Sequence, residues 1–122
     1  MKKVLIIEDE KILGELYEYK LKETGYEVKW VQSSEEAFEY LKKNKPTLIL
    51  LDILLPKEDG IDFLKKIKNT NLIENTTIVV LSNYDNPETK KEALKLGVKA
   101  YLIKTQYTPK ELLEEIKKFL VN

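Results

Sequence analysis

TLILLDILLPKEDG, residues 47–60, is the stretch from which the rest of the chain can be read. Its apolar run from Leu48 to Leu51 is too short for a helix and too uniformly apolar for a half-exposed strand, so it reads as a strand buried on both faces. The run stops at Asp52. A carboxylate at the end of a buried strand loses hydration, and a cation, hydrogen bonds or a proton taken up through a raised pKa must compensate it. Pro56 and Asp59-Gly60 then turn the chain into a new helical pattern. Pro56 also disfavours a helix opening at Asp52, so a functional carboxylate in a cleft is the better reading than a helix N-cap.

Toward the N-terminus, Val4 to Ile7 is a second short buried-strand run, closed by the acids Glu8, Asp9 and Glu10. Ile12, Leu13, Leu16, Tyr17 and Leu21 follow at helical spacing on one face, and Gly25 stands where that helix needs a left-handed cap. Tyr26 to Val31 reads as a strand with Tyr26, Val28 and Trp30 on one side. Ser33 and Glu36 form a capping box ahead of Ala37, Phe38 and Leu41, and Asn44 with Pro46 ends that helix. Toward the C-terminus, Ile61, Leu64 and Ile67 mark a third helix, and Thr77 to Leu81 a fourth strand stopping at Ser82, Asn83 and Tyr84. Asn86-Pro87 opens a fourth helix closed by Gly97. Ala100 to Ile103 is a fifth strand ending at Lys104. Thr108, Pro109 and Glu111 open the last helix, on which Leu112, Leu113, Ile116, Phe119 and Leu120 share a face. Strands and helices alternate at βα spacing, which predicts one α/β domain with a parallel sheet over residues 1–122. The chain stops two residues past Leu120, so no effector domain is expected to follow.

Composition narrows the function. Twenty-one basic residues balance 21 acidic ones along the chain, which leaves no electrostatic footprint for nucleic acid or an anionic membrane. Every basic residue is Lys, so the bidentate arginine contact to guanine is unavailable. No His is present to serve as acid, base, metal ligand or phosphoryl carrier, and no Cys to form a disulfide or thiolate site. The apolar run after the two N-terminal lysines is too short for a signal peptide or a membrane span, and a cytoplasmic protein is expected.

The strand ends define a site. In an open parallel sheet the residues after each strand project from one edge, into the crevice where such folds bind ligands. Glu8, Asp9, Asp52, Ser82 and Lys104 all fall there. Three carboxylates form an oxygen-rich cage for a hard divalent cation, Mg²⁺ above others, while the ammonium and the hydroxyl suit an incoming anion. Singly, each has a plainer explanation: the acids as the first turn of a helix, Lys104 as a solvated surface charge, Ser82 as a turn hydroxyl. Their joint placement favours a site. Trp30 falls on a different strand, which makes its fluorescence a poor reporter of metal binding there.

At this point the chain resembles, over its whole length, the receiver domain of bacterial two-component response regulators, in its stand-alone, chemotaxis-regulator-like form. The matching residues are the acidic pair in VLIIEDE, the block LILLDILLPKEDG, the small hydroxyl residue in VVLSN, and the aromatic and lysine in AYLIKT. The resemblance implies a doubly wound, flavodoxin-like fold with strand order 2-1-3-4-5. It implies that Asp52 is the phosphoacceptor for a phosphoryl group from a histidine kinase or histidine phosphotransfer protein. Glu8, Asp9, Asp52 and the Leu54 carbonyl would hold Mg²⁺, Lys104 and Ser82 would contact phosphoryl oxygens, and Tyr101 would be the switching aromatic. A downstream effector protein would read the face made by the fourth helix, fifth strand and fifth helix, and the chain would be a monomer or a weak, phosphorylation-dependent homodimer. It would act as a signalling switch that catalyses only its own phosphoryl transfer and loss.

Three residues depart from the family pattern. Glu8 stands where Asp is commoner, and its extra methylene leaves room for a water between carboxylate and metal. Asn83, followed by Tyr84, replaces a small residue and narrows access to the site. Thr105 replaces a proline whose preceding peptide is usually cis; for threonine the cis form costs roughly 3 kcal/mol, so a trans bond is expected, with the following loop shifted to keep Lys104 in reach of Asp52. Haloacid-dehalogenase-like hydrolases need a second Asp where this chain has Leu54, and a flavodoxin-like cofactor protein needs a phosphate loop where it has Glu8 to Glu10. The remaining alternative is a receiver-like binding module that is not phosphorylated.

Overall fold

The structure, a computed structural model, describes residues 2–121. In chain order it contains β1 (Lys3–Ile7), α1 (Lys11–Glu23), β2 (Glu27–Val31), α2 (Ser34–Leu41), β3 (Leu48–Leu51), α3 (Gly60–Lys68), β4 (Thr77–Ser82), α4 (Pro87–Lys95), β5 (Ala100–Ile103), a single 3-10 turn (Lys104–Gln106) and α5 (Pro109–Lys117). All five strands are parallel and lie in the order β2-β1-β3-β4-β5. This is the doubly wound, flavodoxin-like arrangement, with β1 and β3 side by side at the point where the winding reverses.

Strand periodicity splits the core into two layers. Leu5, Ile7, Ile49, Leu51, Ile78 and Val80 point to one face, where Ala37 and Leu41 of α2, Phe63, Leu64 and Ile67 of α3, and Ala93 of α4 cover them. Val4, Ile6, Leu48, Leu50, Val79 and Leu81 point to the other, against Tyr17 and Leu21 of α1 and Leu112, Leu113 and Ile116 of α5. The central strand β3 is buried at every position, which is why it carries no polar alternation.

Most helix ends follow their sequence signals. Asn86 accepts from the Thr89 N–H at the start of α4, and α5 opens with a complete capping box between Thr108 and Glu111. At α2 only half of the expected box forms: Ser33 Oγ accepts from the Glu36 N–H, while the Glu36 carboxylate meets the Ser33 hydroxyl rather than its backbone. Gly25 and Gly97 take φ of 96° and 100°, the left-handed values their helix ends require. Ile12 departs from expectation. Placed by spacing on the buried face of α1, it is 82% exposed, and only Gly14, Tyr17 and Leu21 of this helix are buried.

Candidate functional site

The sheet register brings the site together. Ile7 pairs with Leu51, so Glu8 and Asp52 each lie one step past that rung; the Asp52 N–H donates to Ile7 O at 3.1 Å and the Glu8 N–H to Val31 O at 3.0 Å. Glu8 is 2% exposed and Asp52 5%, whereas Asp9 faces solvent. One carboxylate oxygen from each of Glu8, Asp9 and Asp52 lies within 4.8 Å of the others.

Lys104 reaches this cluster from beyond the end of β5. Its ammonium donates to Asp52 Oδ2 at 3.0 Å, to Glu8 Oε1 at 2.5 Å and, more weakly, to Glu10 Oε2 at 3.4 Å. The remaining oxygens of the two buried acids are also engaged: the Leu54 N–H donates to Asp52 Oδ1 and the Glu10 N–H to Glu8 Oε2, both at 3.1 Å. The Asp52 charge is therefore compensated by both an ammonium and a backbone hydrogen bond, two of the routes open from sequence. Burial pushes the Glu8 carboxyl up to about 7, against the pull of Lys104 and with the help of the neighbouring Asp52 charge. For Lys104, burial works against the charged form, but Asp52 and Glu8 outweigh it and the ammonium titrates above its ordinary range.

A cavity of about 250 Å³ opens beside this pair, lined by Asp9, Glu10, Asp52, Leu54, Asn83 and Lys104. Its donors are hard carboxylate oxygens with room for waters, a set that fits Mg²⁺ and not a thiophilic metal. Glu8 has both oxygens committed to Lys104 and the Glu10 N–H, while the exposed Asp9 carboxylate takes part in none of these bonds.

Ser82 and Tyr101 are both hydrogen-bonded to Tyr84. Ser82 is fully buried at the end of β4, where its Oγ accepts from the Tyr84 N–H at 3.1 Å. The Tyr101 hydroxyl donates to Tyr84 O at 2.6 Å, its ring packs on the α2–α4 side of the core, and burial followed by the Asp52 charge pushes the phenol up to about 12. The Lys104–Thr105 peptide is trans, as expected, and the ammonium still reaches Asp52.

Three residues gain roles that sequence did not assign. Glu10 is a third partner of Lys104. Asn83 Oδ1 accepts from the Thr105 N–H at 3.1 Å. The Trp30 indole donates to Glu8 O at 2.8 Å and occupies the space where a Cβ on Gly14 would lie, 2.1 Å from the ring. Trp30 is therefore bonded to the acidic loop, which overturns its expected remoteness: a strand neighbour in sequence order said nothing of how far an indole reaches across the sheet edge. The acidic run offered a signal for Glu10, and the bare glycine inside α1 was the only trace of Trp30.

The site is thus an acid cluster and a lysine at the switch point of a doubly wound α/β domain. Residues 4–117 match the model of the response regulator receiver domain, and the chain belongs to that family. It is 34% identical over 119 residues to the alkaline phosphatase synthesis transcriptional regulatory protein PhoP of Bacillus subtilis, covering 98% of this chain and 48% of that protein. It is 36% identical to the transcriptional regulatory protein CrdR of Helicobacter pylori, covering 97% of this chain and 54% of the relative. The chain thus spans about half the length of these curated relatives. Among solved structures, a two-component response regulator from Clostridium difficile superposes with a TM-score of 0.87 at 30% identity, covering 98% of this chain and 96% of the other. The chemotaxis response regulator CheY4 of Vibrio cholerae gives 0.87 at 27% identity, covering 98% of each chain.

Proposed function

We propose that this receiver domain is a phosphoacceptor in a two-component phosphorelay, with Asp52 as its nucleophile. One observation carries the reading: the Lys104 ammonium lies 3.0 Å from Asp52 Oδ2, at the rim of a cavity that Asp9 and Asp52 also line. The donor would be a phosphohistidine on a histidine kinase or histidine phosphotransfer protein, as membership of the receiver family implies, and the imidazole that this chain lacks is the partner's. An Asp52 oxygen forms the new O–P bond as the N–P bond breaks; the leaving imidazole keeps the electron pair and takes a proton from solvent. Glu8, Asp9, Asp52 and the Leu54 carbonyl would hold Mg²⁺, which when bound offsets charge on the transferring oxygens. Lys104 offsets the charge of Asp52 before transfer and that of the phosphoryl oxygens after it, and Ser82 supplies a hydroxyl to the same group. The chain's own chemistry is limited to acquiring and losing this phosphoryl group.

The output follows from connectivity. Ser82 and Tyr101 are both bonded to Tyr84, so a change at Ser82 can pass to Tyr101 and to the face of α4, β5 and α5, where a downstream effector protein would read it. We take residues 1–122 as one receiver unit in the cytoplasm, monomeric or weakly dimeric once phosphorylated. No helix among the described residues is long and apolar enough to cross a membrane. Action on transcription, named for the relatives, would reach this chain only through such an effector or a further segment. Intact mass after incubation with acetyl phosphate and Mg²⁺ tests the central step. Wild type should gain one phosphoryl group and Asp52→Asn none; equal labelling of the two would remove Asp52 from the mechanism.

A further inference from the structure

We propose that Asn83 is a positioning residue for Lys104, tying the β4–α4 loop to the segment after β5 as a strap beside the acidic cavity. The last rung of the sheet on this side pairs Ser82 with Ile103, so Lys104 lies past the ladder that holds its strand. What fixes the backbone just beyond it is Asn83 Oδ1, which accepts from the Thr105 N–H at 3.1 Å, together with the 3-10 bond from the Tyr107 N–H to Lys104 O. Thr105 can only donate there, so the amide orientation is settled: the oxygen faces Thr105 and the NH₂ group is left as a donor on a residue that lines the cavity.

Asn83 can hold Thr105 because its own loop is held. The Tyr84 N–H is bonded to Ser82 Oγ at 3.1 Å, Tyr84 O accepts from the Tyr101 hydroxyl at 2.6 Å, and Asn86 caps α4. Both ends of the strap are also positions at which this chain departs from the family pattern. A proline at 105 would have no N–H to offer, so this bond needs a residue other than proline there. An ammonium on a four-carbon stem keeps its reach only if the backbone that carries it stays in place, and a displacement near 1 Å at a reacting group can slow a reaction on the order of a hundredfold.

The kinetic part of this proposal rests on the phosphoacceptor reading, whereas its structural part does not, and the experiment keeps the two apart. The 122-residue chain is compared as wild type, Asn83→Ala, Asn83→Leu and Asn83→Asp. Leucine matches asparagine in bulk but cannot accept a hydrogen bond; aspartate keeps the acceptor. In isotope-labelled lysine spectra the slowly exchanging Lys104 ammonium signal should persist in wild type and Asn83→Asp and be lost in the alanine and leucine variants. Phosphorylation by acetyl phosphate should slow about tenfold in those two variants. Wild-type rates in Asn83→Leu, or an intact Lys104 signal in Asn83→Ala, would overturn the proposal. Should wild type itself take no phosphoryl group, the phosphoacceptor reading fails, and the Lys104 signal alone then upholds or overturns the strap.

Discussion

Lys104 holds two buried carboxylates at once, Glu8 and Asp52, and its removal leaves both without a counter-charge. Breaking a buried ion pair from one side costs about 3 kcal/mol or more. Lys104→Met should therefore lower stability to urea by about 3 kcal/mol in metal-free buffer. Added Mg²⁺ should narrow that gap, since a cation bound only to the folded state stabilises it by mass action. An unchanged urea midpoint would mean that the Lys104 ion pairs contribute nothing net to stability. The same geometry ranks the acids as ligands. Because both Glu8 oxygens are engaged, Asp9→Ala should weaken Mg²⁺ binding by about tenfold or more and Glu8→Gln by only a few-fold, as measured by calorimetry. Equal losses would show that Lys104 releases Glu8 to the metal.

At the scale of elements, α1 is held by a glycine and a tyrosine. A Cβ at position 14 would meet the Trp30 ring at 2.1 Å, so Gly14→Ala must push the indole off Glu8 O or tilt the helix. Overpacking of this kind costs about 1–3 kcal/mol, outweighing the better helix propensity of alanine, and chemical denaturation will measure it. Tyr17, 2% exposed on the same helix, has its phenol pushed up to about 12 by burial. A folded-state pKa above the unfolded value contributes stability that is present below pH 10 and is lost as pH rises toward 12. Across that window wild type should lose about 2 kcal/mol more than Tyr17→Phe; parallel curves would place the phenol in contact with water. Element type was legible because four strands were short apolar runs and β2 alternated, while α1, α2, α4 and α5 carried a cap or a left-handed glycine and α3 showed its apolar spacing. Ile12 was misplaced because helical spacing says which residues share a face but not how much of that face is covered.

For the whole molecule, strand order came from resemblance, while the gathering of residues at one sheet edge was legible from the chain itself. Parallel strands must end on the same side, and that rule needs no distances. Side chains bridging between elements were not legible: Asn83 reaching Thr105, and Trp30 reaching Glu8, join residues whose separation in sequence carries no signal. The second of these bonds has an optical consequence. Trp30 is the chain's single tryptophan, and its indole N–H is shared with the carbonyl of a residue in the acid cluster. Filling that cluster with Mg²⁺ will alter the polarity and strength of this one bond, so the emission maximum and intensity of the unmodified protein should follow the titration with no introduced dye. Trp30→Phe should be dark to the same titration while calorimetry still registers binding. Coincident midpoints from light and heat would make the protein its own spectroscopic probe.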